Sequence, residues 1–205
     1  MSNLKQFGGI YTDPPWPQKK GNRRECRPGQ GKNLDYKTMT LEEIESFHRA
    51  FLRENAAESH NIFMWAIDKF LPDTEAMMRA LGYTLHARII WDKCNGVAPA
   101  FTLRFSHEYL LWFYKKGKML MPVKDMQGRH TTVIREPSTT HSRKPIAAYE
   151  MLEALFPQTW KVELFARARR RGWVSFGDEL PERKERMGDD ENETAPHIQK
   201  SALSI

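Results

Sequence analysis

One short run in this sequence joins residue types that could do chemistry together: Asp13-Pro14-Pro15-Trp16. The prolines fix φ, remove two backbone donors and push the residue before each away from helix. The carbonyls there are stiff and lie outside any regular ladder, the preorganisation that catalysis by fixed dipoles requires. Asp13 offers a carboxylate and Pro14 a carbonyl, two acceptors for the two hydrogens of one amino group. Such a pair suits an amino nitrogen conjugated to a ring, as on adenine. Its lone pair is delocalised, and accepting both hydrogens draws the nitrogen toward a tetrahedral, more nucleophilic state. Trp16 would add a flat face for an extruded base, worth roughly 1–3 kcal/mol of stacking. The same four residues also describe a strand that ends in a Pro-Pro turn with a packing tryptophan.

These residues must be positioned by the elements around them. Phe7 to Thr12 reads as a strand, so the motif stands at a strand's carboxyl end, where open α/β sheets bind ligands. Residues 17–37 lack apolar periodicity and read as a long exposed loop. Thr40-Leu41-Glu42-Glu43 is a capping box that predicts a helix to about Arg53, with Leu41, Ile44, Phe47 and Phe51 at helical spacing. Strands are predicted at Asn61–Ile67, Leu85–Trp91, Glu108–Tyr114 and Lys161–Phe165, with a short one at Thr131–Ile134. Helices are predicted from Pro72 to Leu81, stopping at Gly82, and from Pro145 to Leu155. The alternation predicts an α/β domain over residues 1–180 with a mostly parallel sheet. Residues 181–205 read as a charged, disordered tail.

The 205-residue chain is long enough to bury one sizeable core. No run of about eighteen apolar residues predicts a transmembrane span. The start is too short and polar for a secretory signal, so an intracellular, cytoplasmic home is expected. Two cysteines, Cys26 and Cys94, have no ligand-spaced neighbours, so neither a zinc site nor a disulfide is predicted. The net charge of +6 is uneven: Asp178 to Ile205 carries −4 and the rest +10. A basic body fits a polyanion such as nucleic acid. Lys19, Lys20, Arg23 and Arg24 follow the motif and are expected to contact it.

Arg167 to Arg171 could form a phosphate-binding cluster, or serve a cofactor in part. His107 and Glu108 are neighbours on a strand, so their side chains point to opposite faces and cannot act jointly on one substrate. A structural or loop-anchoring role is expected for both.

On these residues the chain resembles the N(6)-adenine methyltransferase family typified by the catalytic subunit of the eukaryotic messenger-RNA adenosine methyltransferase. In size it is closer to that family's small bacterial and phage members. Four stretches carry the likeness in order, from about Ile10 to Leu180. They are Ile10-Tyr11-Thr12-Asp13-Pro14-Pro15-Trp16, then Tyr36-Lys37-Thr38-Met39 leading into the helix, then His107-Glu108 with its apolar run. The last comprises Ser142-Arg143-Lys144-Pro145, Val162-Glu163-Leu164-Phe165-Ala166-Arg167 and Gly172-Trp173 to Gly177.

The resemblance implies a Rossmann-like methyltransferase sheet with permuted motif order and S-adenosyl-L-methionine beside Asp13. It places Lys144 on the cofactor's carboxylate, Arg167 on the ribose, and Asp178 and Glu179 where the family has an Asn-Gln or Asn-Glu pair at the sugar. Arg169 is assigned to the cofactor beside Arg167, and Tyr36 to the target-base pocket. Only twelve residues precede Asp13, so recognition of the cofactor's adenine must come from elsewhere or be weaker. The expected partner is nucleic acid, DNA rather than RNA, with no membrane and no metal; a homodimer is left open. The alternatives are the same chemistry on RNA, or a non-catalytic nucleic-acid-binding partner subunit of the same fold.

Overall fold

Six consecutive buried residues, Phe7–Thr12, form strand β1 at the heart of a seven-stranded sheet. The computed structural model describes residues 6–17, 37–97, 102–139, 143–178 and 180. Helix α1, Leu41–Asn55, follows, and the capping box at its start is real. The Thr40 N–H donates to Glu43 Oε2 at 2.7 Å and the Glu43 N–H to Thr40 Oγ1 at 3.2 Å. Ile44, Phe47 and Phe51 bury its apolar face, as their spacing predicts.

Strand β2 spans Ala56–Ala66, starting five residues before the predicted Asn61. Its first residues pair only through a register break, where Phe7 faces Ala56 and Gly9 faces Asn61. Helix α2 is Leu71–Ala80, with Pro72 in its first turn and Gly82 at φ +85° just beyond its end. Strands β3 (Thr84–Asp92), β4 (His107–Tyr114), β5 (Val133–Arg135) and β6 (Lys161–Leu164) match the predicted strands within two residues.

Helix α3, Ile146–Leu155, begins one residue later than predicted, because Pro145 takes an extended ψ of 140° and caps the helix instead of opening it. The Glu136 carboxylate accepts from the N–H groups of Ile146 and Ala147 at 2.8 and 2.9 Å. It satisfies donors that would otherwise be orphaned and complements the helix dipole. Strand β7, Trp173–Phe176, is absent from the sequence prediction: four residues after an arginine-rich turn show too little periodicity.

The sheet order is β5-β3-β4-β2-β1-β6-β7. Every strand but β4 runs the same way, so the sheet is mostly parallel as expected. Alternating residues feed two cores. Ile62, Met64, Leu111 and Phe113 pack with α1 and α2 on one face. Phe63, Trp65, Leu110 and Trp112 pack with α3 on the other. The result is a Rossmann-like α/β/α sandwich, with each fully buried large side chain contributing roughly 1.5–3 kcal/mol. Among the described residues no helix is long and apolar enough to cross a membrane. The predicted tail, 181–205, lies outside them.

Candidate active site

The exits of β1, β3, β6 and β7, the entry to α3 and the start of β4 all meet at one edge of the sheet. Reversal of β4 is decisive here. His107 pairs with Asp92 at the end of β3 and Tyr109 with Ala66 at the end of β2, so the first residues of β4 stand where the other strands finish.

Asp13 leaves β1 into this edge. Its Oδ1 lies 3.0 Å from Lys144 Nζ, which also donates to Glu108 Oε2 at 2.9 Å. Glu108 Oε1 takes a second ammonium, Lys93 Nζ, at 2.5 Å. Two carboxylates and two ammonium groups from four segments thus alternate in one chain of charge. The Lys144 side chain is only 10% exposed and its Nζ stands 5.2 Å from the centre of the Trp65 ring. An ammonium so buried is tolerable only because both carboxylates pair with it.

The proton affinities follow. Burial raises the Asp13 pKa above the ordinary carboxylate range; Lys144 opposes the shift, Glu108 adds to it, and Arg167 opposes it again. Burial would also raise Glu108, but Lys144 and Lys93 outweigh it and hold that pKa below the usual range. Burial would lower Lys144, yet Asp13 and Glu108 outweigh burial and the ammonium's pKa is raised.

The motif's backbone departs from the sequence reading. The Trp16 N–H donates to the Pro14 carbonyl at 2.9 Å, and the Met39 N–H to the Pro15 carbonyl at 2.9 Å. Both carbonyls therefore serve the fold. The Pro14 oxygen keeps a second lone pair, and the tight turn aims it rigidly. Trp16 is also corrected. It is 4% exposed, stacked on Phe70 with centroids 5.4 Å apart, and its indole N–H donates to the Trp65 carbonyl at 3.2 Å. The ring packs the turn onto β2 and presents no open face to a base.

Other predicted residues divide. Arg167, just after β6, and Asp178, just after β7, are exposed at the same edge as Asp13. Arg169 is corrected: the connection runs back to the entry end of β6, where Trp173 pairs with Lys161 and its N–H donates to the Arg170 carbonyl, so Arg169 stands away from the edge that holds Asp13. The arginine cluster is split, since Arg170 makes a bidentate pair with Glu153 of α3 at 2.6 and 2.9 Å and lies over Tyr149. Lys19, Lys20, Arg23, Arg24, Tyr36 and Glu179 fall outside the described residues.

His107 bonds the Tyr109 hydroxyl at 3.0 Å on the face opposite Glu108, as strand alternation requires. Glu108, expected to be structural or loop-anchoring, ties together Lys93 and Lys144 from two connections, and through Lys144 it also adjoins Asp13. The reading also missed Lys93, and one layer below, Glu163, whose Oε1 accepts from the Tyr149 hydroxyl at 2.8 Å. Burial pushes the Glu163 carboxyl up to about 7, against the Tyr149 bond, with Asp13 adding to the rise. The Val162-Glu163-Leu164 run signals a strand and nothing more, so no sequence cue marked that carboxyl.

Phe165 ends β6 at φ +58°, a left-handed conformation that is costly for an aromatic residue. A Cβ on Gly177 would meet the Ala166 carbonyl oxygen at 2.3 Å. Only glycine lets the two chain exits approach this closely.

The MT-A70 family pattern matches residues 7–179. A putative N(6)-adenosine-methyltransferase MT-A70-like protein of Medicago truncatula is 31% identical over 189 residues, covering 88% of this chain and 27% of the relative. The N(6)-adenosine-methyltransferase catalytic subunit METTL3 of Homo sapiens is 27% identical, covering 88% of this chain and 29% of that protein. The type II methyltransferase M.MunI of Mycoplasma sp is also 27% identical, but there the match covers 80% of the relative. The chain therefore spans little more than a quarter of the adenosine enzymes and most of the type II enzyme. Matched from β1 through β7, with Asp-Pro-Pro-Trp at the exit of the central strand, the chain belongs to the MT-A70 family.

Proposed function

We propose that this chain is an S-adenosyl-L-methionine-dependent methyltransferase acting on the exocyclic amino group of adenine in DNA. The observation that carries the reading is Asp13, a carboxylate at the exit of the central strand, 3.0 Å from a buried ammonium and followed by the stiff Pro14 carbonyl.

The residues present suit the cofactor. An ammonium has three N–H donors, and Lys144 commits two of them to Asp13 and Glu108, leaving one for an anionic group. Lys144 would hold the cofactor's carboxylate, while Arg167 and Asp178 would reach its ribose. When bound, the cofactor supplies a methyl group on a sulfonium, an electrophile ready for displacement.

The chain's own residues do the rest. Asp13 and the second lone pair of Pro14 accept the two amino hydrogens, freeing the nitrogen's lone pair for in-line attack. The gain comes mainly from proximity and orientation. The raised proton affinity of the Asp13 carboxylate suits it to hold the proton that the methylated nitrogen sheds. Because Trp16 is buried, the target ring must stack on another side chain.

The match to most of the type II enzyme's length, against about a quarter of the adenosine enzymes, favours DNA over RNA. The test uses purified full chain, S-adenosyl-L-methionine, and DNA and RNA oligonucleotides of the same sequence, with N(6)-methyladenine read by mass spectrometry. Methylated DNA is expected. Methylation of RNA alone would replace the substrate, and calorimetric cofactor binding without transfer to either would point to a non-catalytic partner subunit.

A further inference from the structure

Helix α1 carries a histidine with no part in the chain of charge. His48 is 0% exposed, as is Thr12, the last residue of β1 before Asp13. The imidazole Nδ1 lies 2.7 Å from the carbonyl oxygen of Ile44 and Nε2 lies 3.0 Å from Thr12 Oγ1. A carbonyl only accepts, so Nδ1 carries the hydrogen. Burial lowers the His48 pKa to about 4, against the pull of the Ile44 bond, so the ring is neutral at physiological pH. Nε2 then offers a lone pair, and the Thr12 hydroxyl must donate to it.

The same ring touches the other exit at this edge. Its centre is 6.0 Å from that of Phe165, the left-handed residue that turns the chain from β6 toward Arg167. One uncharged imidazole thus abuts both the residue before Asp13 and the residue that opens the β6 turn. Thr12 is the last residue of β1 to pair with β2 and β6, at Met64 and Leu164, so beyond it the ladder no longer holds the backbone and the Thr12 side chain is the next anchor. The bond to His48 fixes that anchor.

We infer that His48 is a positioning residue: by accepting the Thr12 hydroxyl it sets the angle at which Asp13 leaves β1 and meets Lys144 and the target amino group. The inference rests on the proposed methyl transfer for its kinetic consequence, but its geometric content stands apart from it. A histidine that merely fills the core would tolerate any ring of its size.

Three variants of the full chain separate these cases. Thr12→Val keeps shape and loses the donor, His48→Phe keeps a buried ring and loses the acceptor, and His48→Gln keeps an acceptor near the Nε2 position. With S-adenosyl-L-methionine and a DNA oligonucleotide holding one target adenine, the first two are expected to lower kcat about ten- to a hundredfold, as small misplacements do. KM for DNA stays near that of the natural chain. The double variant is no worse than either single one, and His48→Gln recovers most of the loss. In parallel, the titration of the Asp13 carboxyl carbon is followed by NMR without substrate. It is expected to shift in Thr12→Val and His48→Phe and to return in His48→Gln. Unchanged kcat and an unmoved Asp13 titration in the two variants, with only the melting temperature lowered, would overturn the inference. Were the natural chain to methylate nothing, the proposed function would fail while the Asp13 titration still decided the role of His48.

Discussion

Asp13 stands under opposed demands. To accept an amino hydrogen strongly it must be ionised, yet burial and Glu108 both favour its protonated form. Transfer should therefore lose rate on the acid side at a pH above the ordinary carboxylate range. Glu108→Gln removes a like charge and should move that limb to lower pH, whereas Lys144→Met removes the opposing cation and should move it higher. Methyl transfer measured across pH checks both directions, and a limb indifferent to either change would detach it from Asp13. Lys144→Met should also weaken cofactor binding by about 1.5–3 kcal/mol, the usual cost of losing a charged hydrogen bond, as read by calorimetry. Asp13→Ala should abolish transfer; the circular dichroism of the fold is expected to persist because Glu108 still pairs with Lys144, with a lower melting temperature because the buried ammonium has lost one of its two carboxylates. At this scale the sequence was legible where chemistry is written in adjacent residues, as in Asp13 and Pro14. It was silent on Lys93, and on the place of Glu108 beside it, because only the turned-back strand brings these side chains, fifteen residues apart, together. The tetrapeptide's packing alternative proved right for Trp16, whose surroundings are contributed by Phe70 and Trp65.

Among the elements, β6 carries an unusual carboxyl. Glu163 has a folded-state pKa near 7 against about 4.5 in the ordinary range, so the folded chain holds this proton more tightly than the unfolded one. The stability this supplies is full below the ordinary range and is lost as pH rises through 7. The loss is at most about 3 kcal/mol, taking 1.36 kcal/mol per unit. Glu163→Gln keeps an acceptor for Tyr149 and cannot titrate. Denaturant unfolding at pH 5 and 8 should show the natural chain losing stability across that window relative to the variant, and parallel curves would show that the carboxyl titrates no differently on folding. Periodicity located α1 and α3 because each buries one face, whereas β1, buried on both faces, was marked by the Asp13-Pro14-Pro15 stop that follows it. It could not give the direction of β4, since alternation reads the same both ways, nor could it find β7, which holds its place through pairing with β6 rather than through its own pattern.

Across the whole molecule, charge and topology set the terms. The first 177 residues carry +10 and the remainder −4. Binding to DNA should weaken steeply with salt, with a logarithmic slope of about 0.9 per neutralised phosphate. A fluorescence anisotropy titration from low to moderate salt checks this, and a flat response would remove the basic body from the interface. The topology bears on how the chain is made. Strand β1 lies between β2 and β6, and Ile10 pairs with Val162 about 150 positions later, a separation that slows folding. During synthesis the strand that leads into Asp13 leaves the ribosome about 150 residues before β6, and one of its edges stays open until β6 follows. An unfinished chain thus exposes a bare strand edge, a hazard for aggregation, and holds no assembled site. Asp13 and Lys144 then meet only once the segment before α3 has been made, and the edge of β1 is covered only after β6, so a chain that terminates early holds neither the assembled charges nor a closed sheet.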